Sequence, residues 1–331
     1  MPLSLRRGTV SAVREQNEEL IRLLVDGEPC LAYPRLTGPV ELGDEVIVNV
    51  QARDLGLGSG GFDILYANLT RGVGLAAESG AHVMTLPYTP LQTATQHVEE
   101  DRELPTRLNG MPIVCCSLHS QVAPVCAGTR RRHTLRVAYV QLGGGALPVS
   151  LSDTVRVLKR SGYLEVAVAV APCVDGDVQA VTPASALAWC SAQGFDVVVC
   201  SMGPGIVGTA SALGHGGLGV VEAANTAAGL GGSPVLAVRY SEADPRERHR
   251  GVSHHTQAIL ELSAAEVTVA WPQHLEAPDW LSPREEVDVE GWHEECGRLP
   301  LSHMGRGLGE DPCFFMCAFA AGEVARLRVA A

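Results

Sequence analysis

The sequence predicts an α/β protein, in which a small N-terminal β-barrel precedes a doubly wound, mostly parallel, Rossmann-like α/β domain. Two observations lead to this prediction. Short β-prone runs separated by glycines fill the first part of the chain, and from Met111 short apolar runs alternate with helical stretches. The length of 331 residues also exceeds the ~250–300 at which a single core stops growing. We therefore expect two domains.

The first domain is predicted over residues 1–72 as a small barrel of OB-like or SH3-like type. Its five β-prone runs cover residues 8–13, 20–25, 30–33, 45–50 and 62–68. Residues 73–110 contain several prolines and are predicted to form a connector, with a helix over 91–100.

The second domain is predicted over residues 111–331. Its expected strands are continuous apolar runs, typical of strands buried on both faces, at 113–118, 135–141, 164–171, 195–201, 235–240 and 267–271. Helices are expected over 151–161, 183–193, 209–230 and 253–264. An irregular segment over 271–309 follows. Asp311 and Pro312 then offer an N-cap and a first helical residue for a final helix.

Composition limits the partners. The 25 basic and 37 acidic residues give a net charge of −12, which argues against nucleic acid or an anionic membrane as a partner. No apolar run approaches the ~18 residues of a membrane helix, and the start lacks the apolar core of a signal peptide. We expect a cytoplasmic protein, and a homo-oligomer is compatible with this composition.

Two residue types narrow the chemistry. Lys159 is the only lysine, and it falls on the polar side of a predicted helix, so Schiff-base and P-loop chemistry lack a candidate. The ten cysteines include no Cys-x-x-Cys pair. We interpret them as buried free thiols in a reducing compartment.

Polar residues follow the ends of five predicted strands, and ligands of open α/β sheets bind at the carboxyl edge. These strand-end segments contain His119-Ser120, 143–145, 175–177, 203–209 and 244–256. Residues 203–208 match Gly-x-Gly-x-x-Gly, but a dinucleotide fingerprint belongs in the first βαβ unit, and several units precede this one. The loop could hold an anion at a helix start, or it could be a tight structural turn. Nicotinamide or flavin binding is therefore a disfavoured alternative, and the sequence leaves the cofactor unknown.

The segment 246–256 concentrates arginine and histidine, and three interpretations stay open. Arg246, Arg248 and Arg250 could bind a phosphate or carboxylate. His249, His254 and His255 could hold a metal, with His119 or Asp244 as a further ligand. Ser253 could simply cap a helix, with the other side chains solvated.

A combination of motifs resembles one known family. They are residues 55–61 and 88–92, Leu118-His119-Ser120, the GPGIVGT run at 203–209, the segment 243–256 with its RxRHxGxSHHT pattern, and 304–307. The chain resembles an uncharacterised bacterial domain-of-unknown-function family of about this length. The resemblance implies a shared architecture and matches His119, Arg248, His249, His254 and His255 to family motifs, but it implies no reaction. The family pattern has acids where this chain has 143–145 and Gln179.

We expect an enzyme of the hydrolase or transferase class acting on a small anionic metabolite at the carboxyl edge of the sheet. The alternative is a non-enzymatic metabolite-binding or protein-interaction module. The catalytic candidates are His119, His249 and His254, since histidine is the natural base near neutral pH. The ligand-binding candidates are Asp177, Gly203, Gly205, Gly208, Thr209, Asp244, Arg246, Arg248, Ser253 and His255.

Overall fold

The computed structural model of the protein describes residues 3–56, 61–101, 103–131 and 134–330. The chain forms two compact units, Met1–Ala81 and His82–Ala331. Their boundary falls inside the segment 73–110 that was predicted as a connector. Residues 57–60, part of a motif behind the family resemblance, lie outside the described residues.

The first unit is a closed five-stranded barrel, as predicted. Its strands are β1 (Leu5–Gln16), β2 (Ile21–Val25), β3 (Glu28–Ala32), β4 (Glu45–Asn49) and β5 (Asp63–Asn68), in the order β1-β2-β3-β5-β4. β1 pairs with both β2 and β4, and β3 pairs with β5 in parallel. Alternate side chains such as Ile21, Leu23 and Val25 point inward and form its core. Two single-turn helices, α1 (Pro34–Thr37) and α2 (Gln51–Asp54), lie between strands.

The second unit begins with a hairpin rather than the helix predicted over 91–100. β6 (Val83–Thr85) pairs antiparallel with β7 (Thr93–Thr95), and only α3 (Val98–Asp101) is helical. The helix prediction was therefore wrong for most of its length. β-branched Thr93 and Thr95 favour a strand, and Thr85 and Thr95 approach each other across the hairpin, with 3.4 Å between hydroxyl oxygens.

An eight-stranded sheet forms the centre of the second unit, and every neighbouring pair is parallel. The remaining strands in chain order are β8 (Pro112–Cys116), β9 (Val137–Leu142), β10 (Val166–Val170), β11 (Val178–Ala180), β12 (Val197–Met202), β13 (Ser233–Ala237), β14 (Tyr240–Ser241), β15 (Gly251–Val252), β16 (Thr268–Pro272) and β17 (Arg284–Val287). The sheet order is β11-β10-β9-β12-β8-β13-β16-β17, while β14 and β15 form a separate antiparallel pair. This confirms the predicted doubly wound α/β architecture.

Helices cover both faces of the sheet. They are α4 (Val122–Arg130), α5 (Asp153–Arg160), α6 (Pro183–Ala192), α7 (Gly219–Gly229), α8 (His254–Leu262), α9 (Trp292–Gly297) and α10 (Pro312–Val329). The helix predicted over 209–230 begins only at Gly219, because residues 209–214 form a tight turn. Sequence reasoning missed α4, α9, β11 and β17, of which β17 and α9 lie in the segment predicted as irregular.

The winding of the chain creates a crevice beside β8. Residues of α4 and α10 pack on one face of the sheet, and residues of α6, α7 and α8 pack on the other. The connection after β8 therefore lies on the opposite face from those after β12 and β13, its two neighbours. Ligands of doubly wound folds bind at such a switch point, at the carboxyl ends of the strands. None of the described helices combines the length and the apolar character needed to cross a membrane.

Candidate functional site

Arg239 lies just past the end of β13, where it fixes the start of α8. Its carbonyl oxygen accepts from the Ser253 N–H at 2.9 Å, and its own N–H donates to the Thr256 hydroxyl at 3.1 Å. Its guanidinium group donates to Nδ1 of His255 at 2.9 Å. The side chain is only 3% exposed. Burial lowers the pKa of Arg239 to about 10, so the group stays charged at neutral pH.

Four histidine rings meet at the start of α8. His215 stacks on His255, with ring centroids 3.4 Å apart and planes 12° apart. His254 lies 4.5 Å from His255 and 4.8 Å from His249 between ring centroids. Ligating nitrogens of His249, His254 and His255 all lie within 4.8 Å of one another. Three sequence-predicted histidines, His249, His254 and His255, are thus brought together, and His215 joins them from another loop.

Hydrogen bonds determine which ring nitrogens of these histidines carry a proton and which have a free lone pair. A guanidinium group only donates, so Nδ1 of His255 must accept, and the proton of the neutral ring then lies on Nε2. Nδ1 of His249 contacts the Ser253 hydroxyl at 2.7 Å, and the same oxygen accepts from the His255 N–H. His255 therefore presents an N–H donor and has no free lone pair for a metal ion.

The buried histidines are neutral at physiological pH. Burial, reinforced by the charge of Arg239, lowers the pKa of His249 to about 3 and that of His255 to about 2. Burial also lowers the pKa of His215 to about 4, helped by His254 and Arg239. The pKa of His254 is lowered by burial and by Arg248. Each of these rings would become easier to protonate beside a bound anion.

Asp244 sits at the centre of an arginine cluster. Arg246 donates to it in bidentate fashion at 2.9 and 2.8 Å, Arg306 approaches to 3.4 Å and Arg239 to 3.7 Å. The carboxylate is 1% exposed. Burial alone would raise the pKa of Asp244, but the bonds from Arg246 and the charge of Arg239 outweigh it and hold this pKa well below its ordinary value.

Asp311 provides the second carboxylate of this cluster. It accepts from the Ser241 hydroxyl at 2.6 Å and from Arg306 at 3.1 Å. Three arginines face two carboxylates here, which leaves one net positive charge in a largely buried region. Several buried polar atoms in this region have no hydrogen-bond partner among the described residues: Nε of Arg239, Nε2 of His254, Nε2 of His303 and Oδ1 of Asp311. Such atoms ordinarily find a ligand or water.

His119 is bonded to the end of β12 and to the start of α5 rather than to the other predicted histidines. Its Nδ1 lies 3.2 Å from the Met202 carbonyl oxygen, and its Nε2 lies 2.6 Å from the Ser152 hydroxyl. A carbonyl only accepts, so Nδ1 carries the proton and Nε2 accepts from Ser152. Burial lowers the pKa of His119 to about 4. His119 thus ties the end of β8 to β12 and to the N-cap of α5.

Ser120, the next residue, contacts His303 instead. Its hydroxyl lies 3.1 Å from Nδ1 of His303. The His303 ring stacks on Phe314, with centroids 3.7 Å apart and planes 4° apart. Burial lowers the pKa of His303 to about 3, and Arg239 and Arg306 add to this effect.

The glycine-rich loop after β12 is a backbone-packing device. A Cβ on Gly203 would collide with the Ala146 carbonyl oxygen, and one on Gly145 would collide with that of Gly203. The Ala146 N–H donates to Pro204, and the Val207 N–H donates to Gly144. These N–H groups are therefore used between loops, which favours the tight structural turn over an anion cradle.

The same loop positions His215. Gly208 bridges to His215, and a Cβ on Gly208 would lie only 3.2 Å from the His215 Cβ. Gly205 adopts φ +69°, which favours glycine, and Thr209 is exposed in the turn that ends at Gly214. The predicted loop therefore contributes to the cluster through His215.

The remaining predicted residues lie at its rim or elsewhere. Arg248 and Arg250 are exposed. Asp177 precedes β11 and pairs with Lys159 at 2.5 Å, while it also accepts from the Ala167 N–H at 2.8 Å. Because Ala167 lies at the start of β10, Asp177 is at the amino edge of the sheet, away from the histidines. The chain turns back after β10 and carries Asp177 there.

Sequence reasoning assigned no catalytic or binding role to six residues that complete the site: Ser120, His215, Arg239, His303, Arg306 and Asp311. Arg239 directly follows the apolar run 235–238, so a charged residue at a strand end was a usable signal. Arg306 belongs to residues 304–307, a motif behind the family resemblance that received no role. His215 and His303 are isolated in sequence and carried no local signal.

The family comparison covers nearly the whole chain. The model of a family described as "Protein of unknown function (DUF3866)" matches residues 29–322. No curated protein matches the chain. The match includes the crevice, the arginine cluster and the histidine cluster, and this chain therefore belongs to the DUF3866 family.

Proposed function

We propose that this protein is an enzyme of the hydrolase or transferase class that acts on a small anionic metabolite at the carboxyl edge of its parallel sheet. One observation carries the proposal: arginines outnumber carboxylates in a buried cluster directly beside neutral histidines. A buried surplus of positive charge is costly unless an anion balances it.

The arginines supply the binding energy in this proposal. Arg306 and Arg239 each have a partly satisfied guanidinium group, and Nε of Arg239 has no partner among the described residues. Guanidinium groups match carboxylate and phosphate oxygens in geometry and charge. The N–H of His255 Nε2, on the ring edge away from the nitrogen that Arg239 contacts, adds a neutral donor.

The neutral histidines supply the acid–base function. A neutral imidazole can accept a proton at physiological pH, and a bound anion raises its pKa toward the useful range. His254 fits this role among the predicted catalytic residues, because its Nε2 is buried without a partner among the described residues.

The rest of the fold agrees with a cytoplasmic enzyme. All ten cysteines are free and nine of them are buried, which supports a reducing compartment. The doubly wound parallel sheet supports a Rossmann-like assignment. The five-stranded barrel with its parallel β3–β5 pair supports the OB-like alternative for the first unit.

Inorganic phosphate is the first probe of the anion site. We expect phosphate to raise the melting temperature of the wild-type protein, because it balances the buried positive charge. Arg306→Gln should weaken phosphate binding by about ten- to a hundredfold, the loss of one charge-assisted hydrogen bond of ~1.5–3 kcal/mol. Arg298→Gln is the matched control, since Arg298 is exposed and pairs only with glutamates of α9.

Equal phosphate responses of wild type, Arg306→Gln and Arg298→Gln would exclude the anion site. Elemental analysis of tag-free protein tests the competing metal site. If wild-type protein contains one equivalent of a transition metal and His254→Ala contains none, the site binds a metal ion rather than an anion.

Turnover separates an enzyme from a binding module. Incubation with a metabolite extract should deplete an anionic compound and produce a new one, and Arg306→Gln should slow this change. Stabilisation by an anion without any turnover would support the non-enzymatic metabolite-binding alternative.

A further inference from the structure

We propose that Ser120 is the nucleophile and His303 the general base of an acyl hydrolysis, in which the substrate is a carboxylic ester that carries an anionic group. The position of that anionic group, on Arg239 and Arg306, rests on the function proposed above. The Ser120–His303 pair stands on its own geometry.

Ser120 occupies a favourable position for a nucleophile. It follows β8 at the switch point of the sheet, on the turn that leads into α4, and it is half-buried. Its hydroxyl oxygen lies 3.1 Å from Nδ1 of His303, within reach for proton transfer. A nucleophile and a base in hydrogen-bond contact are the recurring core of serine acyl transfer.

His303 is held firmly and has one nitrogen to spare. Phe314 stacks on its ring with 3.7 Å between centroids, which fixes the ring plane. The side chain is only 2% exposed, and its Nε2 has no hydrogen-bond partner among the described residues. A buried ring nitrogen of this kind indicates a group that a bound molecule or water completes.

A tight turn links the base to the anion site. His303 and Arg306 exchange two backbone hydrogen bonds, of 2.8 and 2.9 Å. Between them Met304 and Gly305 have φ angles of +52° and +78°, as in a type I′ turn, and a positive φ costs energy for methionine. Arg306 in turn contacts Asp244 and Asp311. The turn therefore holds the base and an anion-binding arginine at a fixed separation.

The chemistry balances with water as the only co-reactant. Ser120 Oγ attacks the ester carbonyl carbon, and its proton moves to His303 Nδ1. The tetrahedral intermediate collapses, the bond to the leaving alcohol oxygen breaks, and that oxygen takes the proton from His303. Water then attacks the acyl-serine and gives a proton to His303. Release of the carboxylic acid returns this proton to Ser120.

Substrate charge makes the base competent. Burial and the two arginines disfavour the protonated His303 ring before a substrate binds. An anion on Arg239 and Arg306 cancels the arginine contribution and favours the imidazolium that forms during attack. Hydrolysis should therefore prefer anionic esters over neutral esters of the same size.

The two other serine–histidine contacts among the described residues do not fit this role. Ser253 lies 2.7 Å from Nδ1 of His249, but it is 0% exposed and its hydroxyl oxygen accepts from the His255 N–H. Ser152 is also bonded to a histidine, but its hydroxyl oxygen accepts from the Val155 N–H at 3.0 Å as the N-cap of α5. Ser152 is 3% exposed, so a substrate carbon cannot reach its oxygen. This makes Ser152 the matched control for Ser120.

Phenylmethanesulfonyl fluoride tests the nucleophile without knowledge of the substrate. Attack forms a bond between serine oxygen and sulfur, expels fluoride and transfers the proton to the base. We expect peptide mass mapping to find one modified serine, Ser120. Ser120→Ala should abolish the modification, Ser152→Ala should leave its rate unchanged, and His303→Gln should slow it by at least ~100-fold.

A second variant covers the case in which His303→Gln fails to fold. Ser120→Cys keeps the contact with His303, and iodoacetamide should alkylate the new thiol ahead of the native cysteines, nine of which are buried. Modification of Ser152, unmodified Ser120 in folded wild type, or a folded His303→Gln that reacts at the wild-type rate would each overturn the proposal.

Phosphate competition separates this inference from the proposed function. Phosphate should protect Ser120 if both are right. Modification of Ser120 that phosphate does not affect would leave the nucleophile in place and remove the anion site. If phosphate stabilises the protein but Ser120 never reacts, the anion site stands and Ser120 is not the nucleophile.

Discussion

The two units bury charge in different ways. In the barrel, Asp44 is 1% exposed and accepts from Arg71 at 2.9 and 2.7 Å, from Asn68 at 2.8 Å and from the Glu41 N–H at 2.8 Å. In the α/β unit, Asp244 is equally buried, but Arg239, Arg246 and Arg306 all approach it. One carboxylate is matched by its partners and the other is outnumbered by them.

This difference separates a structural charge from a functional one. Asp44 links the start of β4 to the end of β5 through Asn68. Its main arginine, Arg71, still reaches solvent with a third of its side chain exposed. Around Asp244, Arg239 and Arg306 retain unmatched charge with only 3% and 17% of their side chains exposed, whereas Arg246 is as exposed as Arg71. Burial of an ionised group alone therefore does not mark a site, whereas an excess of one sign does.

Acid should distinguish the two units most strongly. The eleven histidines all lie in the second unit. The folded pKa values of His119, His215, His249, His255 and His303 are about 4, 4, 3, 2 and 3, all below the unfolded value of ~6.5. Below pH ~6.5 the unfolded chain binds more protons, so stability falls as pH decreases. At pH ~5.5, one unit below the unfolded pKa, each buried histidine costs on the order of 1 kcal/mol of stability.

Hydrogen exchange followed by mass spectrometry at pH ~7.5 and pH ~5 measures this effect peptide by peptide. Peptides of the α/β unit should lose protection at the lower pH, and those of the barrel should keep it, because the barrel contains none of the histidines and the hydrogen bonds from Arg71 outweigh burial and lower the pKa of Asp44. Equal losses in both units would contradict the comparison.

Removal of the two buried carboxylates should give the next largest difference. Asp244→Asn leaves the arginine cluster without its main counter-charge, and we expect a loss of about 3–5 kcal/mol. Asp44→Asn should cost less, since Arg71 can turn to solvent. Urea denaturation measures both, and phosphate should restore part of the stability of Asp244→Asn only. Equal restoration of both variants would show that phosphate acts nonspecifically.

The glycine-rich loop offers a medium-sized test of its structural role. Gly203→Ala should cost about 1–3 kcal/mol, because the added Cβ collides with the Ala146 carbonyl oxygen. Gly205→Ala should cost about 1 kcal/mol, because its Cβ meets nothing within 4 Å and only the positive φ is unfavourable. Thermal unfolding with and without phosphate measures both effects. If Gly205→Ala has normal stability but is no longer stabilised by phosphate, the loop binds the anion directly.

The smallest expected effect concerns the helix that carries the histidines. Ser253→Ala removes the N-cap of α8 and the contact to His249, and we expect a loss of about 1 kcal/mol. Phosphate binding should persist, because the arginines are unchanged. In the barrel, Ser4→Ala is the control, since its hydroxyl bonds only the exposed side chain of Asp54 and its loss should shift stability by less than ~0.5 kcal/mol. If Ser253→Ala and Ser4→Ala lower the free energy of unfolding equally in urea denaturation, the Ser253 cap does not stabilise α8.

Local pattern determined a large part of this fold. The periodicity change near Met111, the glycine-separated runs before it and the apolar runs after it are local properties, and they predicted the barrel and the parallel sheet. Ser253 was recognised as a cap and Pro312 as a helix start, because capping depends on neighbours in sequence. The cluster at residues 246–256 was also visible, since its arginines and histidines are adjacent along the chain.

Only the tertiary structure decided which side chains meet. Asp177 and His119 both follow strands in sequence, yet one lies at the amino edge of the sheet and the other faces Ser152, because loop direction is set by long-range pairing. Ser120 meets His303 across 183 positions of sequence, and Arg306 meets Asp244 across 62. Hydrogen-bond partners and net buried charge depend on distances in space, and residue order alone does not contain them.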